Sequence, residues 1–486
     1  MAEAGYRTLT LGIDLGTSAV KLLAVDDHGV VWAAAAAEFP TFSTLPGQAE
    51  QDPADWTAAV SRAAADLDGA LTGRDGAWRD AVAGIGLSGQ LPTLVCLQAG
   101  SPLGRAITWK DSRADIWAST AVNAAERAAL YRRTGMPIDG RYLGPMFRYH
   151  FHGRRDVEAL LSAKDYLCYL LTGERLTDPS TAAGYGVFDL AAGAFDPGLA
   201  ERWGVPRSAF PAIRPAHALA GPLTAAGARL LGLRAGIPVT VGSADSVASA
   251  FAMCGLQTGV VCITMGSSTV ILDAVPERAL DHAARYLLTP HVADGWYGRE
   301  MDLLATGTGY AWLSALLGWS DGVLDRYAAD SAPGAQGVTF APYLAGGEQG
   351  VLWDATLRGS IHGLTVRHGA SDLARAFLEG VCFEIRRCVD VLAEREPLRD
   401  VVVAGHIVNR PTSLGLLADI LGRPVRPWTE ASPAALGAAL GARLLVEPAT
   451  TVGEGCKPTD AASVAPGPDC ERYGRLYEQY AARSWR

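Results

Sequence analysis

Two aspartates stand where a hydroxyl-activating or phosphate-handling site would need them. Asp14 lies in "LGIDLGTSAVKLLAV" (11–25), and Asp245 lies in "VTVGSADSVASAFAMCG" (239–255). Around Asp14, Gly16 lets an anion come close to the backbone. Successive N–H groups at such a bend form an anion-binding nest, to which Thr17 and Ser18 add hydroxyls and Lys21 adds charge. A carboxylate beside phosphate calls for a cation between them, and Mg²⁺ held through water meets that need. The same residues read equally well as a tight turn joining two strands. Asp245 falls at a strand-to-helix junction, where a capping role is the ordinary reading. A carboxylate there can also take the proton of an attacking hydroxyl and share the cation with Asp14. In "SGQLPTLVCLQAGSPLGRAITWKDSRAD" (88–115), Gln90 can hydrogen-bond a polar ligand, with Leu91 and Pro92 beside it. Asp111 and Arg113 can either face a ligand or pair with each other. Gly307 and Gly405 stand near expected helix starts, where glycine suits a close backbone approach or simply a turn.

The elements that must position these groups follow from periodicity. Residues 8–14, 19–25 and 30–37 read as strands, with "DDHG" (26–29) as a turn, so the Asp14 cluster joins two antiparallel strands. A second copy, "VCITMGSSTVILDAV", runs from 261 to 275. Laid on the first without a gap, it matches Ile263 to Ile13, Gly266 to Gly16, Ser268 to Ser18, Val270 to Val20, Leu272 to Leu22 and Ala274-Val275 to Ala24-Val25. Ser267 takes the place of Thr17 and Thr264 that of Asp14. Each copy opens one half of a two-lobed α/β protein, with domains expected at 1–240 and 241–448 and a tail at 449–486. A strand is expected over 81–90, and helices over 156–173, 196–203, 221–231, 246–254 and 371–394, the last capped by Ser371. A buried strand is expected at 400–405, helices in "PTSLGLLADILG" and "SPAALGAALGARLLV", and a short amphipathic helix in 466–486 carrying Tyr473, Leu476 and Tyr480.

At 486 residues the chain exceeds the roughly 250–300 at which single cores stop growing. A net charge of −9 argues against nucleic acid as the main ligand, since phosphate neutralisation needs a concentrated basic face. The 8 cysteines include no CxxC pair, and Cys254, Cys262, Cys382 and Cys388 read as small buried hydrophobes, so neither a zinc site nor a disulfide framework is expected. No apolar run reaches the ~18 residues of a membrane span, and no leader is seen, which gives a cytoplasmic expectation. Walker A, metalloprotease, EF-hand and G-x-S-x-G patterns are absent.

The ordered set of segments resembles the FGGY carbohydrate kinases, most closely their xylulokinase branch, over nearly the whole chain. "GIDLGTSAVKLL" looks like the first phosphate motif, "GLSGQLPTLV" the substrate loop, "AITWKDSRAD" the W-x-D-x-R segment, "VGSADSVASAFAMCG" the catalytic-aspartate motif and "ITMGSSTV" the second phosphate motif. "SAKDYLCYLLTGE", "TDPSTAAGYGVFDL", "APYLAGGEQGVLWDATLRGSIHGL" and "RAFLEGVCFEIR" fall in the expected order. The resemblance implies an actin-like (ribonuclease H-like) duplicated fold with a central cleft, and transfer of the ATP γ-phosphoryl group to a sugar hydroxyl. It implies Asp245 as general base, Asp14 and Asp245 at Mg²⁺, and Gly16, Thr17, Ser18, Lys21, Gly266 and Ser267 at the phosphates. Gly307, Gly405 and Asn409 would border the nucleotide. Gln90, Leu91, Pro92, Asp111 and Arg113 would face a xylulose-like ketose, polyol or related metabolite. The implied partner is this small molecule, with no nucleic acid and no membrane, and a homodimer is compatible. Two departures stand out. Leu91-Pro92 follows "GQ" where xylulokinases usually carry Met-His. "AGHIVNRPTSLGLLADILG" puts His406 and Ile407 where glycines are usual and Gly415 where a glutamine is. These departures motivate a second reading, a catalytically silent sensor on a kinase scaffold.

Overall fold

A computed structural model describes residues 8–72, 78–320, 322–447, 461–483 and 485. Two sheets form the frame. The first runs Leu219–Pro222 (β5), Pro238–Thr240 (β6), Val82–Gly89 (β4), Leu9–Leu15 (β1), Ala19–Asp26 (β2) and Val31–Glu38 (β3), with the short Ser243–Ala244 (β7) also paired to β4. The second runs Leu287–Pro290 (β10), Tyr297–Leu303 (β11), Thr269–Val275 (β9), Val260–Met265 (β8), Asp400–Gly405 (β12) and Arg426–Pro427 (β13). In each sheet a central antiparallel hairpin has a parallel strand on its far side: β4 beside β1, and β12 beside β8. This is the duplication foreseen from the sequence.

The gapless match between the two hairpins fails beyond the turn. In the first, Leu15 pairs with Val20, leaving four residues in the turn. In the second, Met265 pairs with Thr269, leaving three. A slip of one residue moves every side chain of a strand to the opposite face. The counterpart of Leu22 is therefore Ile271, not Leu272. Packing agrees: Leu22 joins the outer core of the first sheet with Leu11 and Ile13, and Ile271 joins that of the second with Val261 and Ile263. Leu272 turns inward, to the core between the sheets, with Leu23 and Val25.

That inner core is built on two helices, Asp245–Cys254 (α3) and Pro433–Val446 (α7). Glycines alternate on the inner face of the first sheet, and α7 presses its backbone onto them. A Cβ at Gly12 would lie 1.9 Å from the Ala435 carbonyl oxygen, and one at Gly86 would lie 1.8 Å from that of Ala438. On its other side, a Cβ at Gly437 would lie 2.0 Å from the Ala248 carbonyl of α3. Although it comes late in the chain, α7 thus packs on strands from the chain's beginning and ties the second half back to the first.

Several local expectations are revised. The segment 156–173 is not one helix. Ala159–Leu161 is a strand, and Ser162 then caps the helix Ala163–Thr172 in a capping box with Asp165. The 221–231 helix begins at Ala225 behind the Thr224 cap, because Leu219–Pro222 pairs into the sheet. The long helix, Ala370–Ala393, is started by Gly369 and not Ser371: the Asp372 carboxylate accepts the Gly369 N–H at 3.0 Å, and Ser371 lies inside the first turn. Cys254 and Cys262 are paired sulfur to sulfur and are not separate hydrophobes, which follows from α3 ending beside β8. The C-terminal helix Cys470–Ala481 buries Tyr473 and Tyr480 as expected. Residues 449–460 of the expected tail, Cys456 among them, lie outside the described residues.

Two glycines should respond oppositely to substitution. Gly86→Val drives a side chain into the α7 backbone and is expected to lower stability by about 2 kcal/mol or more. Gly415 lies mid-helix in Pro411–Leu421 with open space around its Cβ position, so Gly415→Ala should raise stability by ~0.5–1 kcal/mol. Urea-unfolding midpoints read both.

Candidate active site

Asp245 opens α3 directly after β7, which places it at the carboxyl end of a strand pairing with β4. Its carboxylate accepts from its neighbour, the Ser246 N–H, at 2.9 Å, and the helix has no side-chain cap. The capping role is therefore not what fixes this residue. Two adjoining cavities meet here and share Thr17, Trp109, Asp245, Ser246, Ser268 and Val270 in their walls.

One cavity holds both hairpin turns. Asp14, Gly16, Thr17, Ser18 and Lys21 line it from the first lobe, and Gly266 and Ser267 from the second. Each turn is closed by backbone bonds, Gly16 N–H to the Ala19 carbonyl at 3.1 Å and Gly266 N–H to the Ser268 carbonyl at 2.8 Å. Neighbours hold the first turn in place. The Trp109 indole N–H donates to the Thr17 hydroxyl at 3.0 Å, and Gln51 donates to the Thr17 carbonyl at 2.7 Å. Gln90 donates to Gln51 at 2.8 Å, and its own buried Oε1 has no partner among the described residues. Gln90 thus stands behind the turn, while Leu91 and Pro92 line the second cavity.

Asp14 is buried, takes the Ser88 hydroxyl at 2.8 Å and faces Lys21 Nζ at 3.9 Å. Burial pushes its carboxyl up, and Lys21 and Ser88 oppose the push. Asp245 keeps an edge open to the cleft but lies deep in the protein. Burial first, then the charges of Asp14 and Glu300, raise it to about 8. A carboxylate crowded by another is the condition that a divalent cation relieves.

Gly307, Gly405 and Asn409 are not in the wall of this cavity. Gly307 and Gly405 form a cradle for the second turn: a Cβ at Gly307 would lie 2.1 Å from the Gly266 carbonyl, and one at Gly405 would lie 2.0 Å from that of Met265. Asn409 is exposed, on the short turn His406–Asn409. Asp111 and Arg113 line neither cavity. Arg113 bonds Asp111 at 2.6 Å and Glu50 at 2.6 Å, and Asp111 holds the Ala49 N–H at 3.0 Å. The pair fixes the segment that presents Trp109.

The second cavity contains groups that sequence reasoning missed: Arg141, Tyr142, Ser180, Glu300, Asp302, Gln349 and Trp353. The signal for two of them was present in "YGREMDL", where acids alternate at period 2 in a buried strand. Of the others, Ser180 sits in the short helix Pro179–Ala183, and the rest come from the irregular segment at 141–142 and the loop at 349–353, which no periodicity marks.

The N-terminal domain of the FGGY family of carbohydrate kinases matches residues 9–252, and its C-terminal domain matches residues 261–444. The chain belongs to this family. It is 32% identical to a glycerol kinase from Gloeobacter violaceus, over 90% of this chain and 89% of that one. It is 28% identical to a xylulose kinase from Staphylococcus epidermidis, over 89% and 87%. Among solved structures, a xylulose kinase from Rhodospirillum rubrum superposes with a TM-score of 0.83 at 30% identity, covering 98% of each chain. The fold is therefore actin-like, and this FGGY kinase is a phosphotransferase that uses ATP to phosphorylate an alcohol group of a sugar. The silent-sensor reading is not retained.

The raised Asp245 carboxyl has a consequence for stability. Folding lifts it from an ordinary 3.8 to about 8, so the folded state binds this proton more tightly. Its contribution is favourable at low pH and is lost as pH rises between those values. Asp245→Asn cannot ionise. It should raise the melting temperature over wild type at pH 8.5, by ~2 °C or more, with a smaller gain at pH 5, where only part of the window between the two values has been crossed. Scanning calorimetry of the ligand-free kinase at the two pH values measures this.

Proposed function

We propose that the kinase phosphorylates a small ketose or polyol, with Asp245 as general base. The observation that carries this reading is the sharing of Asp245 by the two cavities. One side holds the two hydroxyl-lined turns and the other a pocket of mixed apolar and polar walls. A sugar in the second cavity presents a hydroxyl to Asp245, and the γ-phosphoryl group of ATP comes from the first. The hydroxyl oxygen forms a bond to γ-phosphorus, the bond to the β-bridging oxygen breaks, ADP leaves, and the hydroxyl proton passes to the Asp245 carboxylate. Thr17, Ser18, Ser267 and the turn N–H groups stabilise phosphate charge, and Lys21 adds a cation on the same wall.

The residues present also fit Mg²⁺. Among the described residues no group of three or more His, Cys, Asp or Glu forms a metal cage. Two opposed carboxylates with hydroxyls around them suit an ion held mainly by phosphate oxygens and water. Asp14 and Asp245 would hold it, and when bound it would neutralise phosphate charge. Consumption of ATP agrees with a cytoplasmic location. The acceptor pocket is walled by Leu91 and Pro92, with Gly184 packed against the Leu91 side chain, so this corner offers the sugar no hydrogen bond.

Asp245→Asn should reduce kcat by ~10²–10⁴-fold while the sugar dissociation constant stays within about threefold. ADP release and sugar-phosphate mass spectrometry read kcat, and calorimetry reads the dissociation constant. Near-normal turnover in this variant would remove Asp245 from the role. In wild type, kcat/KM without added excess Mg²⁺ should climb with pH toward about 8, as the raised carboxyl ionises.

A further inference from the structure

We infer that a buried ion pair, Lys164 with Asp178, acts through Ser180 to position Asp245 for phosphoryl transfer. This rests on Asp245 as the general base. The three supporting residues come from "SAKDYLCYLLTGE" (162–174) and "TDPSTAAGYGVFDL" (177–190). Lys164 is fully buried near the start of the helix Ala163–Thr172. Its ammonium group lies 2.8 Å from Asp165 Oδ1 and 3.0 Å from Asp178 Oδ1, and it donates to the Val241 carbonyl at 3.1 Å. Among the described residues it is the one cation that meets either of those oxygens, and neither has a hydrogen bond from elsewhere. Burial would lower the ammonium group, but the two carboxylates hold it above its ordinary value, so it keeps its charge. Such a centre is poor support for stability alone, because apolar residues of similar volume often serve as well. Its distinct contribution is to tie three separate stretches of chain to one point.

One of those stretches, 241–244, leads directly into Asp245. Lys164 holds its first residue by the Val241 carbonyl. Ser180 holds its last, since the Ala244 N–H donates to Ser180 Oγ at 3.0 Å. Asp178 orients Ser180 in turn: its Oδ2 accepts the Ser180 N–H at 2.9 Å and also the Ser180 hydroxyl. On the opposite side, Ser243 and Ala244 pair with Ser88 and Gly89 of β4. Gly242 sits between the two grips with a φ of 83°, and a Cβ there would lie 2.3 Å from the Leu87 carbonyl oxygen. The stretch is thus gripped by β4 on one side and by the Lys164 centre on the other.

Helix α3 has no side-chain cap, so Ser180 is the side chain that holds the residue before Asp245. Ser180 lines the acceptor cavity, yet its hydroxyl is already engaged by Asp178 and the Ala244 N–H. Lys164 and Asp178 line neither of the two cavities that meet at Asp245. All three therefore reach the reaction through Asp245, as positioning residues. The expected effect is on rate and not on acceptor binding, because displacing a reacting group by ~1 Å can cost about 10²-fold in turnover.

The test uses the 486-residue kinase with ATP·Mg²⁺ and whichever of D-xylulose, xylitol and glycerol the wild type turns over fastest. Sugar-phosphate formation is read by mass spectrometry and divided by the folded fraction from circular dichroism. Ser180→Ala and Asp178→Asn are each expected to lower kcat ~10–100-fold, with the acceptor dissociation constant within about threefold of wild type by calorimetry. Added to Asp245→Asn, Ser180→Ala should cost less than about twofold more, because the group it positions is already disabled. A loss of the same size in both backgrounds places the effect outside Asp245 and overturns the inference. Wild-type kcat in either folded single variant overturns it as well. If Asp178→Asn does not fold, Ser180→Ala alone and on Asp245→Asn still decides. If Asp245→Asn by itself turns over normally, the base assignment has failed first, and this inference falls with it.

Discussion

The close approach of one helix to one sheet sets the rest of the structure. Helix α7 can reach β1 and β4 only because positions 12 and 86 lack a Cβ, and it can reach α3 only because position 437 lacks one. With these contacts made, α3 is pinned between the sheets and its first residue, Asp245, is held at the mouth of the cleft. The hairpin turns on either side are then fixed by the strands that lead into them. Glycines at 307 and 405 repeat the device on the second lobe, where they seat the Gly266 turn. Backbone packing thus decides the position of Asp245, the proposed general base, and few side chains need to intervene.

The cleft gathers negative charge in a setting that opposes it. Asp14, Asp245, Glu300 and Asp302 all have carboxyl groups raised by burial. Such a site destabilises the empty protein and is relieved by ligands that bring cations or hydroxyl donors. Stability has been given up where chemistry requires it, a common pattern at functional sites.

Much of the frame was legible in the sequence. Both hairpins, the buried strand at 400–405, the long helix near 371–394 and the junction at Asp245 are strongly periodic or carry clear turn chemistry. The residues of both hairpin turns that line the first cavity were singled out because glycine next to hydroxyl residues is a local signal. The second cavity was not, because Arg141, Tyr142 and Gln349 come from segments with no period and are brought in by tertiary packing. Asp111 and Arg113 matched a motif, yet serve one step back, beneath Trp109. Gln90 likewise supports the Thr17 turn through Gln51. A motif fixes which residues matter locally, but only the folded chain shows which of them face the ligand.

The difference of one residue between the two turns stays within the turns. The two lobes are duplicates in topology, and the shorter second turn takes up the missing residue, so Ile271 faces the outer core of its sheet as Leu22 does in the first. A turn of either length delivers its second strand with the same face outward. Equivalence between the lobes is kept in space and not in sequence count, and each lobe is free to shape its own side of the cleft by the length of its turn.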